Sequence, residues 1–394
     1  MYLTKIEEEM LRGEHGYAAQ KAMEILTALG KVYGASRMIE IKSAQVSGIS
    51  YKNLGEEGLE FLEELARDGR VRVLTTLNPA GMDLEHWREM GVPEEFAENQ
   101  LRVIRVFARM GATLTLTCTP YLAGNTPEFG EHVAWSESSA VVYANSVLGA
   151  RTNREGGPSA LAAALVGRTP LYGLHLDENR LPTIEIRTPE TRGEYMFAAL
   201  GYLAGKIARD GVPLFKGIRG ASLEELKALG AALASSGGVA LFHIENLTPE
   251  ARRSRLHAPE KQVIEERELE EALSELDEEV DPDLIFLGCP HLSLREVERV
   301  TELLGGRKVR RDFWLCMSRE IISKAEELGL VEKLRKSGVT IAADTCPIVA
   351  PIREMGYRSI ATNSAKAALY SRNLNRLKVR FLPLDRLIEL ATRG

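Results

Sequence analysis

Three cysteines stand where a strand-like run stops and a proline follows. Cys118 ends Thr113-Leu114-Thr115-Leu116-Thr117 and is followed by Thr119-Pro120. Cys289 ends Leu284-Ile285-Phe286-Leu287-Gly288 and precedes Pro290-His291. Cys346 follows Thr340-Ile341-Ala342-Ala343-Asp344-Thr345 and precedes Pro347. Proline cannot continue a ladder, so each thiol marks the end of a strand. Open α/β sheets place ligands outside the carboxyl ends of parallel strands, where thiols distant in sequence can converge. Three thiolates are one short of the four that close an ordinary iron–sulfur or zinc site. A cluster held by three keeps one iron open, which suits a Lewis acid that binds a substrate oxygen. The plainer reading is that four thiols with no Cys-x-x-Cys pair are small core residues. Cys316, in Trp314-Leu315-Cys316-Met317, ends a strand without a proline and reads as core.

Other strand ends are equally polar. Ser47-Gly48-Ile49-Ser50 follows the first strand, and its glycine would let backbone N–H groups approach an anion. Asn78-Pro79-Ala80-Gly81 follows the second. Either could be an ordinary turn. Trp135-Ser136-Glu137-Ser138-Ser139 opens a helix of small residues. Ser136 or Ser138 could simply cap it, or Glu137 could bind a substrate hydroxyl or move a proton. In Thr362-Asn363-Ser364-Ala365-Lys366 a lysine enters the first turn of a helix, against the helix dipole. Anion binding would explain it, and a solvated lysine is the alternative.

The elements that must position these residues alternate. A capping-box spacing at Thr4-Lys5-Ile6-Glu7 opens a helix, and residues 17–29 continue at helical spacing. Strands are expected at Met38–Ile41, Val71–Leu77 and Ala112–Thr117, with helices at 57–67 and 93–110. Ser138–Gly149 and Ser159–Val166 read as buried helices flanking the polar loop 151–158. A glycine-rich stretch at 205–220 and a highly charged one at 249–283 are candidate lobe boundaries, the latter expected as a solvated helix pair. Strands at 283–287, 312–316 and 339–342 then alternate with helices at 293–304 and 319–336, and a final helix starts near 364. This is βαβ grammar: an α/β fold of several lobes with largely parallel sheets.

Composition narrows the function. The 394 residues carry a formal net charge of −6, which argues against a phosphate-backbone footprint and hence against nucleic acid as main partner. No apolar run approaches the ~18 residues of a membrane span. Met1–Gly16 lacks the apolar core of a signal peptide, so the cytoplasm is the expected location. Glutamine occurs only four times, at 20, 45, 100 and 262, a bias shared by heat-adapted proteins or reached by compositional drift.

Taken in order, Gln45–Ser50, Leu77–Gly81, Cys118–Tyr121, Trp135–Ser139, Tyr143–Asn153, Gly288–His291 and Asp344–Pro347 resemble the aconitase X family over nearly the whole chain. The resemblance implies an aconitase-like fold of three α/β lobes around a 4Fe–4S cluster held by Cys118, Cys289 and Cys346. It implies substrate contacts from Gly48, Ile49, Ser50, Asn78, Pro79, Glu137, Ser138 and Lys366, with Glu137 and Ser138 nearest the chemistry. The implied reaction is dehydration of (R)-5-phosphomevalonate to its trans-anhydro form in an archaeal route to isoprenoids. Other family members dehydrate cis-3-hydroxyproline and carry a fused small subunit. A chain ending at Gly394 fits the two-subunit kind, whose separate small subunit would supply the proton-abstracting base. A zinc hydrolase and a cluster-free binding scaffold are the alternatives from other classes.

Overall fold

The computed structural model describes residues 1–252 and 260–393, and its strands form three parallel sheets plus one short antiparallel pair. The first group contains α1 (Lys5–Leu11), α2 (Tyr17–Val32), β1 (Met38–Glu40), β2 (Ser43–Val46), α3 (Tyr51–Leu65), β3 (Leu74–Leu77), α4 (Glu94–Met110), β4 (Ala134–Trp135), α5 (Ser138–Tyr143), α6 (Gly157–Val166) and β5 (Arg168–Pro170). The Glu7 carboxylate accepts the Thr4 N–H at 2.7 Å and starts α1. β1, within the expected Met38–Ile41, pairs only with β5 and antiparallel to it. The strand that enters the parallel sheet is the next one, β2, in the order β3-β2-β4.

The strand expected at Ala112–Thr117 does not form. Thr113 makes a single bridge to Thr76, and Leu116 then turns into the left-handed region at φ 45°. Backbone bonds from Thr113 N–H to the Thr75 carbonyl at 2.8 Å and from Thr117 N–H to the Leu77 carbonyl at 3.0 Å remain, and between them the Thr115 hydroxyl bonds both the N–H and the carbonyl of Leu77 at 3.2 Å. Cys118 therefore leaves a segment that follows β3 without being a strand.

The second group holds β6 (Ile184–Arg187), α7 (Glu194–Ala208), β7 (Pro213–Lys216), α8 (Leu223–Gly237), β8 (His243–Ile244), β9 (Glu260–Val263) and α9 (Glu266–Leu276). Its sheet is parallel in the order β8-β7-β6-β9. Residues 205–220 run inside this group, from the end of α7 through β7. The charged stretch 249–283 is not a helix pair: it supplies the exposed edge strand β9 and one helix, while residues 253–259 lie outside the described residues. Helix α9 holds because Leu269, Ala272 and Leu276 form a buried stripe.

The third group comprises β10 (Leu284–Leu287), α10 (Leu294–Leu304), β11 (Asp312–Cys316), α11 (Arg319–Glu327), α12 (Leu330–Lys336), β12 (Thr340–Ala342), β13 (Ser359–Thr362), α13 (Ala365–Asn373), β14 (Lys378–Phe381) and α14 (Leu384–Thr392). The order is β12-β11-β10-β13-β14, all parallel. Alternate residues of β10 enter different cores, Leu284 and Phe286 on one face and Ile285 and Leu287 on the other. Such a strand is covered on both sides, which is why it reads as a continuous apolar run. The single helix expected at 319–336 is broken at Gly329, whose φ of 67° ends one turn and caps the next. The helix near 364 is α13, and it is followed by β14 and α14.

One buried ion pair fastens the second group to the first. Arg180 and Glu250, 3% and 5% exposed, pair directly, and Arg180 also donates to Asn145 Oδ1, Leu174 O and Ala150 O at 3.0–3.1 Å. Removing one partner of a buried pair strands the other charge and costs about 3–5 kcal/mol. Glu250→Ala should lower the unfolding free energy by that amount in denaturant melts. A loss below ~1 kcal/mol, the value of an exposed pair, would mean water reaches this joint.

Candidate functional site

Loops of the first group meet loops of the third. Gly48 stands between β2 and α3 with φ 78°, a value other residues rarely adopt, and nothing lies within 4 Å of where its side chain would be. Ser50 caps α3 and donates its hydroxyl to the Val349 carbonyl at 2.8 Å, which ties this loop to the Cys346 loop. Ile49 is buried beside them, and its carbonyl accepts from Gln100 Nε2 at 3.0 Å. Gln100 Oε1 in turn accepts the N–H groups of Tyr51 at 2.9 Å and Gly81 at 3.0 Å. One amide thus clamps the Gly48–Ser50 turn to the buried Asn78-Pro79-Ala80-Gly81 turn. That turn reaches the third group through the Ala80 N–H, which bonds the Asp344 carbonyl at 2.7 Å.

A second buried glutamine orders the polar centre. Gln45 Nε2 donates to Asn78 Oδ1 at 3.2 Å and to the Thr117 carbonyl at 3.3 Å, while its Oε1 accepts the Glu137 N–H at 3.2 Å. Asn78 Nδ2 then donates to Glu137 Oε2 at 2.9 Å. On the other oxygen, Glu137 Oε1 accepts from Ser139 N at 3.2 Å, Ser139 Oγ at 2.9 Å and Ser138 Oγ at 3.5 Å. Lys366, on the first turn of α13, forms a direct ion pair with the same oxygen. Burial pushes the Glu137 carboxyl up, but the Lys366 ammonium and the bonds from Lys366 and Ser139 outweigh it and hold the group below the usual carboxylate range. Burial likewise works against the Lys366 charge, and Glu137 overrides it, so the ammonium is held above the usual lysine range. Lys366 is 6% exposed, which rules out the solvated-lysine alternative.

The cysteine loops converge on a histidine that sequence reading left without a role. The His291 imidazole is buried, and Nε2 lies 3.1 Å from the Thr345 carbonyl, so Nε2 carries the proton and donates. Nδ1 is then the acceptor and takes the Thr117 hydroxyl at 3.0 Å. The His291 backbone N–H donates to Cys118 Sγ at 3.2 Å. Desolvation pushes the imidazole down to about 4, which keeps it neutral. One ring therefore joins the loops of Cys118, Cys289 and Cys346. Cys289 itself sits on a cis peptide to Pro290, after Gly288 at φ 113°. A Cβ at Gly288 would meet the Cys316 carbonyl at 2.3 Å, so only glycine lets this loop lie against β11.

Could these thiols hold a cluster? Cys118 Sγ accepts the His291 N–H at 3.2 Å. The Ser364 hydroxyl eases ionisation of the Cys289 thiol, and the Ile348 and Val349 N–H groups do the same for Cys346, both working against burial. Donors to sulfur stabilise thiolate ligands and tune bound iron. Burial raises all three thiols, Cys346 to about 12, so a cationic partner is what would ionise them. The buried hydroxyls of Tyr121 and Thr345, on two of the cysteine loops, find no partner among the described residues. Cys316 is fully buried at the end of β11, with only burial and neighbouring charges acting on it. Among the described residues no three Cys, His, Asp or Glu side chains close around a single ion. That geometry disfavours a one-metal zinc site; a cubane asks for something else, because each of its ligands takes a different iron. The donor set fits a cluster.

All the expected site residues thus come together, and the structure adds Gln45, Gln100, His291 and Asp344 as the groups that hold them. No helix among the described residues is long and apolar enough to cross a membrane.

Family models agree with this architecture. The model of the aconitase X first domain matches residues 1–178, that of the second domain 182–274 and that of the third 282–393. The phosphomevalonate dehydratase large subunit of Methanocaldococcus jannaschii is 48% identical, over 99% of this chain and 100% of its own length. The cis-3-hydroxy-L-proline dehydratase of Pseudomonas aeruginosa is 38% identical, over 100% of this chain but 70% of its own length. The crystal structure of Thermococcus kodakaraensis aconitase X in its holo-form superposes with a TM-score of 0.94 at 46% identity, covering 99% of this chain and 100% of that one. The chain belongs to the aconitase X family.

Proposed function

We propose that this chain is the large, cluster-carrying subunit of a dehydratase that converts (R)-5-phosphomevalonate to trans-anhydromevalonate 5-phosphate. The observation that carries the reading is the buried Glu137–Lys366 pair, set beside the loops of three buried or half-buried thiols that His291 joins. Relatives matched over 99% of this chain and 100% of their own length bear the name of that enzyme's large subunit. The cis-3-hydroxyproline dehydratases are the second reading, favoured by full coverage of this chain at 36–38% identity.

A 4Fe–4S cluster on Cys118, Cys289 and Cys346 would supply a Lewis acid for the departing hydroxyl. The chain's own residues supply the rest. Removing a proton next to a carboxylate builds negative charge, which needs fixed donors facing it. Lys366 is a cation already desolvated, and the Gly48–Ser50 turn offers backbone N–H groups beside open space. Glu137 is held ionised by Lys366 and Ser139 with four donors on one oxygen and one on the other, so its proton affinity is low. It suits binding and orienting a hydroxyl better than abstracting a proton from carbon. The base is then expected from a small partner subunit closing over the site, which would also exclude water.

The direct test supplies (R)-5-phosphomevalonate and cis-3-hydroxyproline to the anaerobically reconstituted chain, with and without its small subunit. Turnover of the phosphorylated substrate by the pair alone is the expected result. Turnover by the isolated chain would place the base within these residues, and exclusive turnover of hydroxyproline would overturn the substrate. Iron analysis of single cysteine variants forms a separate prediction. Cys118→Ser, Cys289→Ser and Cys346→Ser should each lose the cluster, whereas Cys316→Ala should retain it; equal loss from Cys316→Ala would break the assignment. Lys366→Met should keep its iron but lower kcat/KM by roughly ten- to a hundredfold, the cost of one charge-assisted contact of about 1.5–3 kcal/mol. Unchanged kinetics would leave Lys366 with no part beyond neutralising Glu137.

A further inference from the structure

The second group of elements carries none of the residues assigned so far, yet it makes one wall around Cys289. A cavity of about 30 Å³ lies there, lined by Glu194 on α7, Lys227 and Ala228 on α8, Cys289, Glu296 on α10 and Ser364. Lys227 is buried, donates to the His291 carbonyl at 3.1 Å and pairs with Glu296. A void needs roughly 10–15 Å³ and two to four polar partners to hold a water, and this one offers a thiol, two carboxylates, an ammonium and a hydroxyl. A larger hollow of about 170 Å³ adjoins it, with Ser222, Arg295 and Arg299 on its outer side. The two share Glu194 and Glu296 as walls. Cys289 is also the one cysteine of the four that is not fully buried. None of Gly48, Ile49, Ser50, Asn78, Pro79, Glu137, Ser138 or Lys366 lines either space.

We propose that the gap between Glu194 and Glu296 is a water passage that connects Cys289 to bulk solvent from the side of α7, α8 and α10, separate from the wall formed by the substrate residues. Glu194, Lys227, Glu296 and Ser364 along it can hydrogen-bond water, and its narrow inner end excludes anything much larger. Its use follows from the dehydratase reading, on which this part rests. Each turnover releases one water, and a partner closed over the substrate face leaves that water a second way out. The passage itself requires no reaction.

Thiol modification tests it without turnover or iron. The full chain, prepared without a cluster, is treated with methyl methanethiosulfonate, a small uncharged reagent, and each cysteine is followed by mass spectrometry. Burial raises Cys118 and Cys316 well above the ordinary thiol value, so rates among the cysteines mix acidity with access. The comparison that decides is Cys289 before and after the gap is narrowed. Ala228→Val should slow Cys289 about tenfold and leave Cys118 and Cys346 unchanged, because modification depends on access as well as on thiolate fraction. Lost access lowers the high-pH plateau of the rate, whereas altered acidity moves its midpoint. Glu194→Phe narrows the same gap from α7 and should act alike if Ala228→Val does not fold. An unchanged Cys289 rate in a folded variant of either kind overturns the passage. That result would leave the dehydratase reading standing, and an inactive but normally labelled chain would do the reverse.

Discussion

A neutral imidazole holds the centre of this protein together. His291 donates through Nε2 to the Thr345 carbonyl and accepts through Nδ1 from the Thr117 hydroxyl, while its own N–H reaches Cys118. Three loops that together span more than two hundred residues of sequence are registered against one rigid ring. Desolvation keeps the ring uncharged, so Nδ1 stays an acceptor for the Thr117 hydroxyl while Nε2 donates. Lys227 extends the same node into the second sheet group through the His291 carbonyl. The positions of the cysteines follow from this node more than from the strands that precede them.

Around it, fixed charge is balanced locally. Arg319 grips both oxygens of Asp344 at 3.0 and 3.1 Å, Asp83 accepts the Ala343 N–H at 2.9 Å, and the Asp344 backbone receives the Asn78 turn. Glu137 is surrounded by donors from two serines, an asparagine and a lysine. Such networks stabilise only when every member is satisfied, which explains why two neutral amides, Gln45 and Gln100, occupy fully buried positions between the turns. A carboxylate there would add a charge with no cation to meet it.

Much of this was readable from residue types and order. The strand–cysteine–proline pattern separates Cys118, Cys289 and Cys346 from Cys316, and the loops of the first three are the ones that His291 joins. Helices with one apolar stripe, such as α4 and α10, fall where their spacing puts them. What escaped the reading depends on contacts distant in sequence. The run Ala112–Thr117 alternates like a strand, but its threonines bond sideways to Leu77 and Leu116 breaks the ladder. The first strand of the parallel sheet was assigned one element too early, because β1 is as apolar as β2 and only pairing tells them apart. His291 stood inside a quoted motif, and its role needed Thr117 and Thr345 brought within 3.1 Å. The scarcity of glutamine, by itself, is a fact of composition. Two of the four glutamines are the clamps of the site, so in a chain that avoids this residue its survival was the clue.

The ion pair at the site joins elements of different origin: Glu137 precedes α5 in the first sheet group and Lys366 lies on α13 in the third. If those groups came apart, each would carry away one desolvated charge without its counterpart. The free energy of separating them therefore contains the cost of the stranded ions, several kcal/mol for a buried pair. Three family models divide the chain neatly, but this pair ties the first portion to the third. The two are therefore expected to melt together, with the buried pair as their seam.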